Sequence, residues 1–510
     1  MTTIRDYHER TKHSTASLRA NRHSLDWDIQ PLPFKIYPGL DPIALPRDLA
    51  PSPVAALDAI AALAPHRPDR AVPDLRTLAH LLHRSAGITR SRTYPGGHVM
   101  HFRAAACTGA LYHIDLYLVC ADLPDLPAGV YHFGPHDFAL RRLRAGDHRA
   151  ALVEATAGAA AVAAAPALLI CTSTFWRNAW KYQARAYRHC FWDAGTMLAN
   201  LLGVAAADGV AARVVLGFVD AAVNALLGLD TQREVALALV ALGERPDGAT
   251  GSDPPPQPPL ALETVPLSTR EVDYPLIRAA HTASSLATTA EVRAWHAAAL
   301  GQAPPSAPVA SVPLRPLAHP PDRSIDDVIL HRGSTRRFAR AAISFEQLST
   351  ALRSATHGTV GDWTAAPGRD GVAEPYLIVN AVDGLAAGTY VYHPASEVLE
   401  ALRVGEVRQA AGFLDLGQEL AADAAVNVYL LSDLERVLER LGERGYRVAQ
   451  LESAIVGGKL YLAAYALGLG ATGLTFFDDD VTHFFSPHAL GKSVMFLIAA
   501  GVPARRARGG

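Results

Sequence analysis

Residues 181–188 read Lys181-Tyr182-Gln183-Ala184-Arg185-Ala186-Tyr187-Arg188, and residues 440–447 read Arg440-Leu441-Gly442-Glu443-Arg444-Gly445-Tyr446-Arg447. Arg185, Tyr187 and Arg188 fall on Arg444, Tyr446 and Arg447 at an offset of 259 positions. The same offset carries Tyr117 onto Tyr376, Gly129 onto Gly388, Tyr131 onto Tyr390 and Pro135 onto Pro394 upstream. Downstream it carries Gly209 onto Gly468, Phe218 onto Phe477 and Asp220 onto Asp479, with no gap between Tyr117 and Asp220. Matching tyrosines in unbroken order mark a duplicated unit rather than coincidence in an alanine-rich chain.

Each copy follows one grammar. A strand such as Ile114 to Cys120, or Tyr376 to Ala381, precedes a glycine-tyrosine turn and a second short strand. A long apolar helix comes later, Phe191 to Ala207 or Leu451 to Leu467, and stops at Gly209 or Gly468. A β-rich stretch follows, Ala212 to Phe218 or Gly473 to Phe477. The predicted fold class is α+β, one mixed unit repeated once. Between the copies the chain changes character from Arg245 to about Ser324, with Pro254-Pro255-Pro256, Pro258-Pro259, Pro304-Pro305 and Pro320-Pro321. Proline removes backbone donors and fixes φ, so this stretch reads as a linker. One helix is expected inside it, capped by Thr288-Thr289-Ala290-Glu291. The organisation predicted is a first unit over 1–244, a Pro-rich linker with one helix over 245–323, and a second unit over 324–510.

Composition narrows the function. The 510 residues are 50% hydrophobic and carry 47 basic against 49 acidic side chains, a net charge of -2. That length supplies several cores, and the neutral balance lacks the basic excess that draws a protein to nucleic acid or an anionic membrane. A small molecule or a peptide is the expected partner. Cys107, Cys120, Cys171 and Cys190 form no C-x-x-C pair and read as reduced thiols, the usage of a cytoplasmic protein. Met1 to Ser14 is too polar for a signal peptide. The alanine-rich stretch Ala155 to Cys171 is interrupted by Pro166 and reads as a helix ending near Ala165 followed by a strand.

Two nucleotide-binding patterns fail on context. Gly468-Leu469-Gly470-Ala471-Thr472-Gly473 matches G-x-G-x-x-G but follows a helix and precedes a strand, the reverse of a dinucleotide fold. Gly491-Lys492-Ser493 lacks the first glycine of a phosphate loop, Ser486 standing there. Arg332-Gly333-Ser334-Thr335-Arg336-Arg337-Phe338 differs in kind, because it concentrates guanidinium and hydroxyl donors at alternate positions, the chemistry of phosphate recognition. Its competing reading is a solvated basic turn; for Arg505, Arg506 and Arg508 the competing reading is a frayed tail. In the 181–188 stretch, Lys181 and Arg185 would set like charges at i,i+4, so the segment is either exposed or faces an acidic partner. An ammonium beside a phenol would lower the Tyr182 pKa and make a tyrosinate base, surface charge being the alternative. At the offset Lys181 maps to Arg440 and Tyr182 to Leu441, so this pair belongs to one half only.

At these residues the sequence resembles a known family. Tyr7 to Ser14 (Y-H-E-R-T-K-H-S), Trp27 to Leu40, Ala104 to Tyr112 (A-A-A-C-T-G-A-L-Y) and Lys181-Tyr182 are similar to the SagB-type dehydrogenases of the FMN-dependent nitroreductase superfamily. The resemblance implies two tandem nitroreductase-like units forming an intramolecular pseudo-dimer that clasps FMN between them. It places the Lys-Tyr proton-handling pair of azoline oxidases on Lys181 and Tyr182. The R-x-S-x-R grip on the FMN phosphate and ribityl chain falls on Arg332, Ser334 and Arg336. The ring-contacting glycine falls on Gly217, and the C-terminal phosphate ligand on Arg505 or Arg506. The family's P-S-A-G-A-L-Y-P run stands here with Cys107 and Thr108 in its first half and His113 at its end, and the second copy keeps only Ala366-Pro367-Gly368.

The expected activity is FMN-dependent oxidation of a peptide or peptide-derived natural product, for example azoline to azole, with a cyclodehydratase as a conceivable partner enzyme. The alternatives are an NAD(P)H-dependent nitro or quinone reductase and a flavin-free scaffold that binds peptides.

Overall fold

In the computed structural model, residues 2–66, 71–97, 99–245, 255–300, 311–359, 361–364 and 371–504 are described. Two helices of 22 residues, Ala186–Ala207 and Gly445–Ala466, pack against each other through the middle of the molecule. They are buried along nearly their whole length, which explains their lack of a polar face. Phe175–Ala207 is long and apolar enough by composition to cross a membrane, but 89% of its most apolar window is buried inside the protein, and it serves as core. Each helix ends at a glycine in the left-handed region, Gly209 at φ 79° and Gly468 at φ 75°. Val210 and Leu469 then bond back to the carbonyls of Ala205 and Ala464, closing the helix end as expected of this cap.

The two helices meet about a pseudo-two-fold axis. A Cβ built on Gly195 would stand 2.4 Å from the Cβ of Ala454, and one on Gly458 would stand 2.6 Å from the Cβ of Ala199. Residues 195 and 454, and 199 and 458, are each other's counterparts at the offset of 259. At both of these contacts a position meets its own repeat, the signature of an isologous interface folded into one chain.

A seven-stranded antiparallel sheet belongs to each half, and the two share one strand order. The first runs Pro42–Ala44, Ala139–Ala145, Gly129–Gly134, Ile114–Cys120, Ala167–Thr174, Glu234–Leu242, Ala212–Val215. The second runs Ser311–Pro313, Val398–Val404, Gly388–His393, Glu374–Val379, Val426–Ser432, Ser493–Gly501, Gly470–Gly473. The alanine-rich stretch resolves into the helix Ala160–Ala164 and the strand Ala167–Thr174, as its proline predicts. The glycine-rich 468–473 stretch is a helix stop and an edge strand, and it forms no dinucleotide loop.

Two sequence expectations need correction. The offset slips by one residue between the edge strand and Phe218: Ala212 and Ala471 still match, pairing with Leu242 and Ala500 beside Ala167 and Val426, whereas Arg444 and Arg447 meet Asp220 while Arg185 and Arg188 meet Asp478. The true counterparts of Phe218 and Asp220 are thus Phe476 and Asp478, not Phe477 and Asp479. Side-chain partners agree: Arg444 stacks on Phe218 and Arg185 on Phe476. The second correction concerns 245–323, read as a linker with one helix. Its described residues hold two helices, Pro275–Ala283 and Thr289–Ala297, and the edge strand Ser311–Pro313. The second of these helices is the expected one, with Thr288 accepting from the Glu291 amide. The first was missed because its match to the N-terminal arm lies at a different offset. His281 and Ser284 do for Arg447 what His8 and Thr11 do for Arg188: the carbonyl accepts from Nη2 and the hydroxyl from Nε. The second repeat therefore begins ahead of residue 324.

Those arginines anchor the interface. Arg185 and Arg188 of the first half reach Asp478 of the second at 3.0 and 2.6 Å, and Arg444 and Arg447 of the second half both reach Asp220 of the first at 2.7 Å. Asp478 also accepts from the His13 amide and Asp220 from the Leu286 amide, each capped by the arm that covers it. Burial alone would raise both carboxyl pKa values, but the paired guanidiniums outweigh it and hold both far below the usual carboxylate range. Their folded pKa being depressed, their stabilisation is present above the unfolded value of about 3.9 and is lost as pH falls below it. Asp478→Ala, which leaves two buried guanidiniums unpaired, is expected to lower the unfolding free energy by about 3–5 kcal/mol. Urea denaturation at pH 7 checks this, and a pH series should show wild-type stability falling below about pH 4 with a shallower slope in the variant.

Candidate functional site

The Arg332–Phe338 segment is held at the interface by the helix before it. Ile325–His331 is capped by Ser324, whose hydroxyl accepts from the Asp327 amide. Its buried Asp326 accepts from the Ser52 amide at 2.8 Å, from His80 Nε2 at 2.7 Å and from Arg84. All three donors lie in the first half, so the helix is clamped across the pair. Arg332 then lays its guanidinium on the ring of Tyr461 and donates from Nε and Nη2 to the Ala104 carbonyl at 3.1 and 2.9 Å. Tyr465 donates to the Gly333 carbonyl at 2.7 Å, and Tyr461 donates to Ser334 Oγ at 2.8 Å. Ser334 accepts there, which leaves its own proton for a ligand. Ser334 and Arg336 are exposed, and among the described residues Arg336 has no ion-pair partner. This donor set of guanidinium and hydroxyl groups, with open space over Gly333, suits a phosphate with neighbouring hydroxyls.

The first half supplies the facing wall, Arg103 to His113. Gly109, Ala110 and Tyr112 all have left-handed backbone, at φ 64°, 56° and 49°. Two non-glycine residues in that region store strain that the surroundings must hold. Buried Asp193 on the first core helix does so. It accepts from the Thr108 amide at 2.8 Å, Thr108 Oγ1 at 2.7 Å, the Cys107 thiol at 3.0 Å and His113 Nε2 at 2.8 Å. Burial, reinforced by Asp193, pushes the Cys107 thiol well up, so it is a neutral donor rather than a thiolate. A small cavity opens among Arg103, Cys107, Tyr112, Asp193 and Met197.

Tyr182 closes the far end of this wall. A Cβ on Gly109 would stand 2.9 Å from its hydroxyl. The helix Phe175–Tyr182 ends there because Gln183 turns left-handed at φ 51°, so Lys181 and Arg185 are not a regular i,i+4 pair. Arg185 is buried on Asp478, the acidic partner, while Lys181 is exposed with Nζ 5.4 Å from the Tyr182 ring. The expectation that the ammonium lowers the phenol is overturned: burial raises the Tyr182 pKa, with Asp193 and Cys107 adding to the rise. The phenol stands protonated at neutral pH.

Gly217 does not join this cleft. Its amide and that of Leu216 both donate to Asp362 at 2.9 Å, and His296 also meets Asp362, at 3.1 Å. A Cβ on Gly217 would run into His296 Nε2 at 2.3 Å, so protein packs directly against this glycine. Arg332 and Tyr182 thus touch the Arg103–His113 wall at its two ends, Ser334 sits next to Arg332 on Tyr461, and Gly217 meets Asp362 instead. Arg505 and Arg506, and the 366–368 remnant, lie outside the described residues. Sequence reading missed Tyr461, Tyr465 and Asp193; the last was signalled by being the lone carboxylate of the helix Ala186–Ala207.

A paired α+β protein with a cradle of guanidinium and hydroxyl groups where its halves meet is the class that these features define. The sequence pattern described as the Nitroreductase family matches residues 101–244 and 329–491, about three fifths of the chain and one segment in each repeat. The chain belongs to the nitroreductase family, a family of oxidoreductases, as two tandem nitroreductase-like units. A protein of Anabaena variabilis assigned as a nitroreductase, solved at 1.80 Å, aligns over 99% of this chain and 100% of its own at 27% identity and a TM-score of 0.76. A protein of Methanocaldococcus jannaschii assigned as a nitroreductase is 26% identical over 162 residues, 31% of this chain and 81% of its own length. A chain of the E. coli microcin synthetase McbBCD complex, solved with truncated pro-MccB17, covers 48% of this chain and 88% of its own at 21% identity and a TM-score of 0.30, too slight a likeness to build on.

Removing the Asp193 carboxylate strips four donors of their acceptor at once. Asp193→Ala is expected to cost roughly 2 kcal/mol or more of stability, read by urea denaturation, and to weaken whatever ligand the Arg103–His113 wall contacts.

Proposed function

We propose that the protein is an FMN-dependent oxidoreductase of the SagB type, carrying one flavin in the cleft between Arg332–Arg336 and the Arg103–His113 wall. The observation that carries this reading is the juxtaposition, across the pair, of a guanidinium and hydroxyl cradle with the wall that ends at Tyr182. In it Arg332, Ser334 and Arg336 would hold the phosphate and ribityl chain, with Arg505 or Arg506 as a further phosphate ligand. The Asp362 and His296 side chains on Gly217 support a single flavin per chain, because they take the donors and the space of the second ring site.

The substrate class we assign is a peptide or peptide-derived ring, oxidised for example from azoline to azole, a cyclodehydratase being the class of enzyme that would make it. FMN, when bound, would supply the hydride acceptor, with oxygen as the terminal oxidant reduced to hydrogen peroxide. The ring loses two hydrogens, one as hydride and one as a proton. Tyr182 would handle that proton at its phenol oxygen, with the Lys181 ammonium positioned beside its ring. Because burial raises the Tyr182 pKa, the tyrosinate fraction grows with pH throughout the neutral range.

The absorbance spectrum of purified protein, followed by heat release and quantification of flavin, should give close to one FMN per chain. No flavin after added FMN would favour the scaffold reading. Rapid bleaching by NAD(P)H alone would favour a nitro or quinone reductase. Turnover should rise with pH between about 6 and 9 by up to tenfold per unit, and Tyr182→Phe should abolish that rise. Full turnover in both Lys181→Ala and Tyr182→Phe with FMN bound would sink the assignment of the pair.

A further inference from the structure

The duplication creates two equivalent places beside the core helices, and the chain has treated them differently. In the second half the place is walled by Tyr461 and Tyr465, whose hydroxyls engage Ser334 and Gly333. Their counterparts in the first half are Leu202 and Ala206, which carry no polar group. There the structure holds a cavity of about 530 Å³, with Ile60, Leu63, Leu202 and Val210 among its lining residues. The volume falls in the range of small-molecule sites, and the lining is mainly apolar. The cavity is not a second copy of the Arg332 cleft, since the hydroxyls are gone and the interface beyond is closed where Asp362 caps Gly217.

What the cavity holds instead is a buried amine. Lys459, the counterpart of Asn200, reaches it from the second half and is 3% exposed. Its ammonium has three donors, and one is spent on the Gly358 carbonyl at 2.7 Å. Among the described residues no carboxylate lies within ion-pair distance of it; the nearby Glu452 accepts instead from Trp363 Nε1 and from the Val372 and Ala373 amides. Arg213 adds a second cation to the lining, one of its arms taken by the Gly361 carbonyl. Against these two the lining carries one carboxylate, Glu244. An isolated buried ammonium is costly unless an anion meets it.

We propose that this cavity binds a medium-chain aliphatic carboxylate, its head on Lys459 and Arg213 and its chain along Ile60, Leu63 and Leu202. Burial holds the Lys459 ammonium down at about 8, a penalty that an incoming carboxylate relieves. The inference is independent of the reaction proposed for the Arg332 cleft.

Calorimetric titration of the full-length protein, as purified with whatever flavin it carries, with decanoate and with decanol tests it. Decanoate should bind once per chain and at least tenfold more tightly than decanol. Lys459→Met should lose that preference tenfold or more while its flavin content stays that of the wild type. Leu202→Trp, which fills the cavity and leaves the ammonium in place, should abolish binding of both ligands. Absence of saturable decanoate binding to the wild type, equal affinity for decanol, unchanged binding in Leu202→Trp, or two FMN per chain would each overturn the proposal.

Discussion

The close crossing of two apolar helices about a pseudo-two-fold axis is the contact on which the rest of the molecule depends. Gly195 lies against Ala454 and Ala199 against Gly458, so backbones approach where any larger side chain would force them apart. That approach brings the start of each helix near the opposite half and lets Arg185 and Arg188 reach Asp478 while Arg444 and Arg447 reach Asp220. Buried ion clusters of this kind add little net stability over apolar packing, but breaking them is costly, so they fix one arrangement of the halves. The arms Ile4–Arg10 and Pro275–Ala283 complete the clusters with backbone and hydroxyl acceptors. A segment that composition marks as linker is thereby part of the interface.

Symmetry of the frame makes the asymmetry of its surfaces informative. One cleft keeps Arg332, Ser334, Tyr461 and Tyr465, and the equivalent place has become an apolar cavity with a single buried lysine. On Gly217 the chain has seated Asp362 and His296. Fusion permits this: once both halves are one chain, each site can diverge without its mirror image changing too. A homodimer has no such freedom, because every substitution is made twice.

Much of the frame was legible in the linear sequence. The offset of 259 located both core helices, the shared strand grammar and the arginine pairs, because buried tyrosines, glycines and arginines are tied to position by packing and by φ. The one-residue slip at Asp478 was not legible, since three consecutive aspartates, Asp478, Asp479 and Asp480, offer no way to choose among them until their arginine partners are known. The repeat of the N-terminal arm was missed because it lies at a different offset, 273 rather than 259: Ile4, Arg5, His8 and Thr11 fall on Ile277, Arg278, His281 and Ser284, inside a stretch that its prolines mark as linker.

By itself the sequence determined an α+β unit made twice and a guanidinium and hydroxyl segment suited to an anion, because periodicity, glycine stops and donor spacing are local properties. Only the tertiary structure decided which residues share a cleft, and it separated Gly217 from Arg332 while drawing Asp193, Cys107 and Tyr182 to the opposite wall. It also reversed the electrostatic reading of Tyr182. A pKa depends on what surrounds a group in three dimensions, and burial among Asp193 and Cys107 outweighs a neighbouring ammonium that points into solvent.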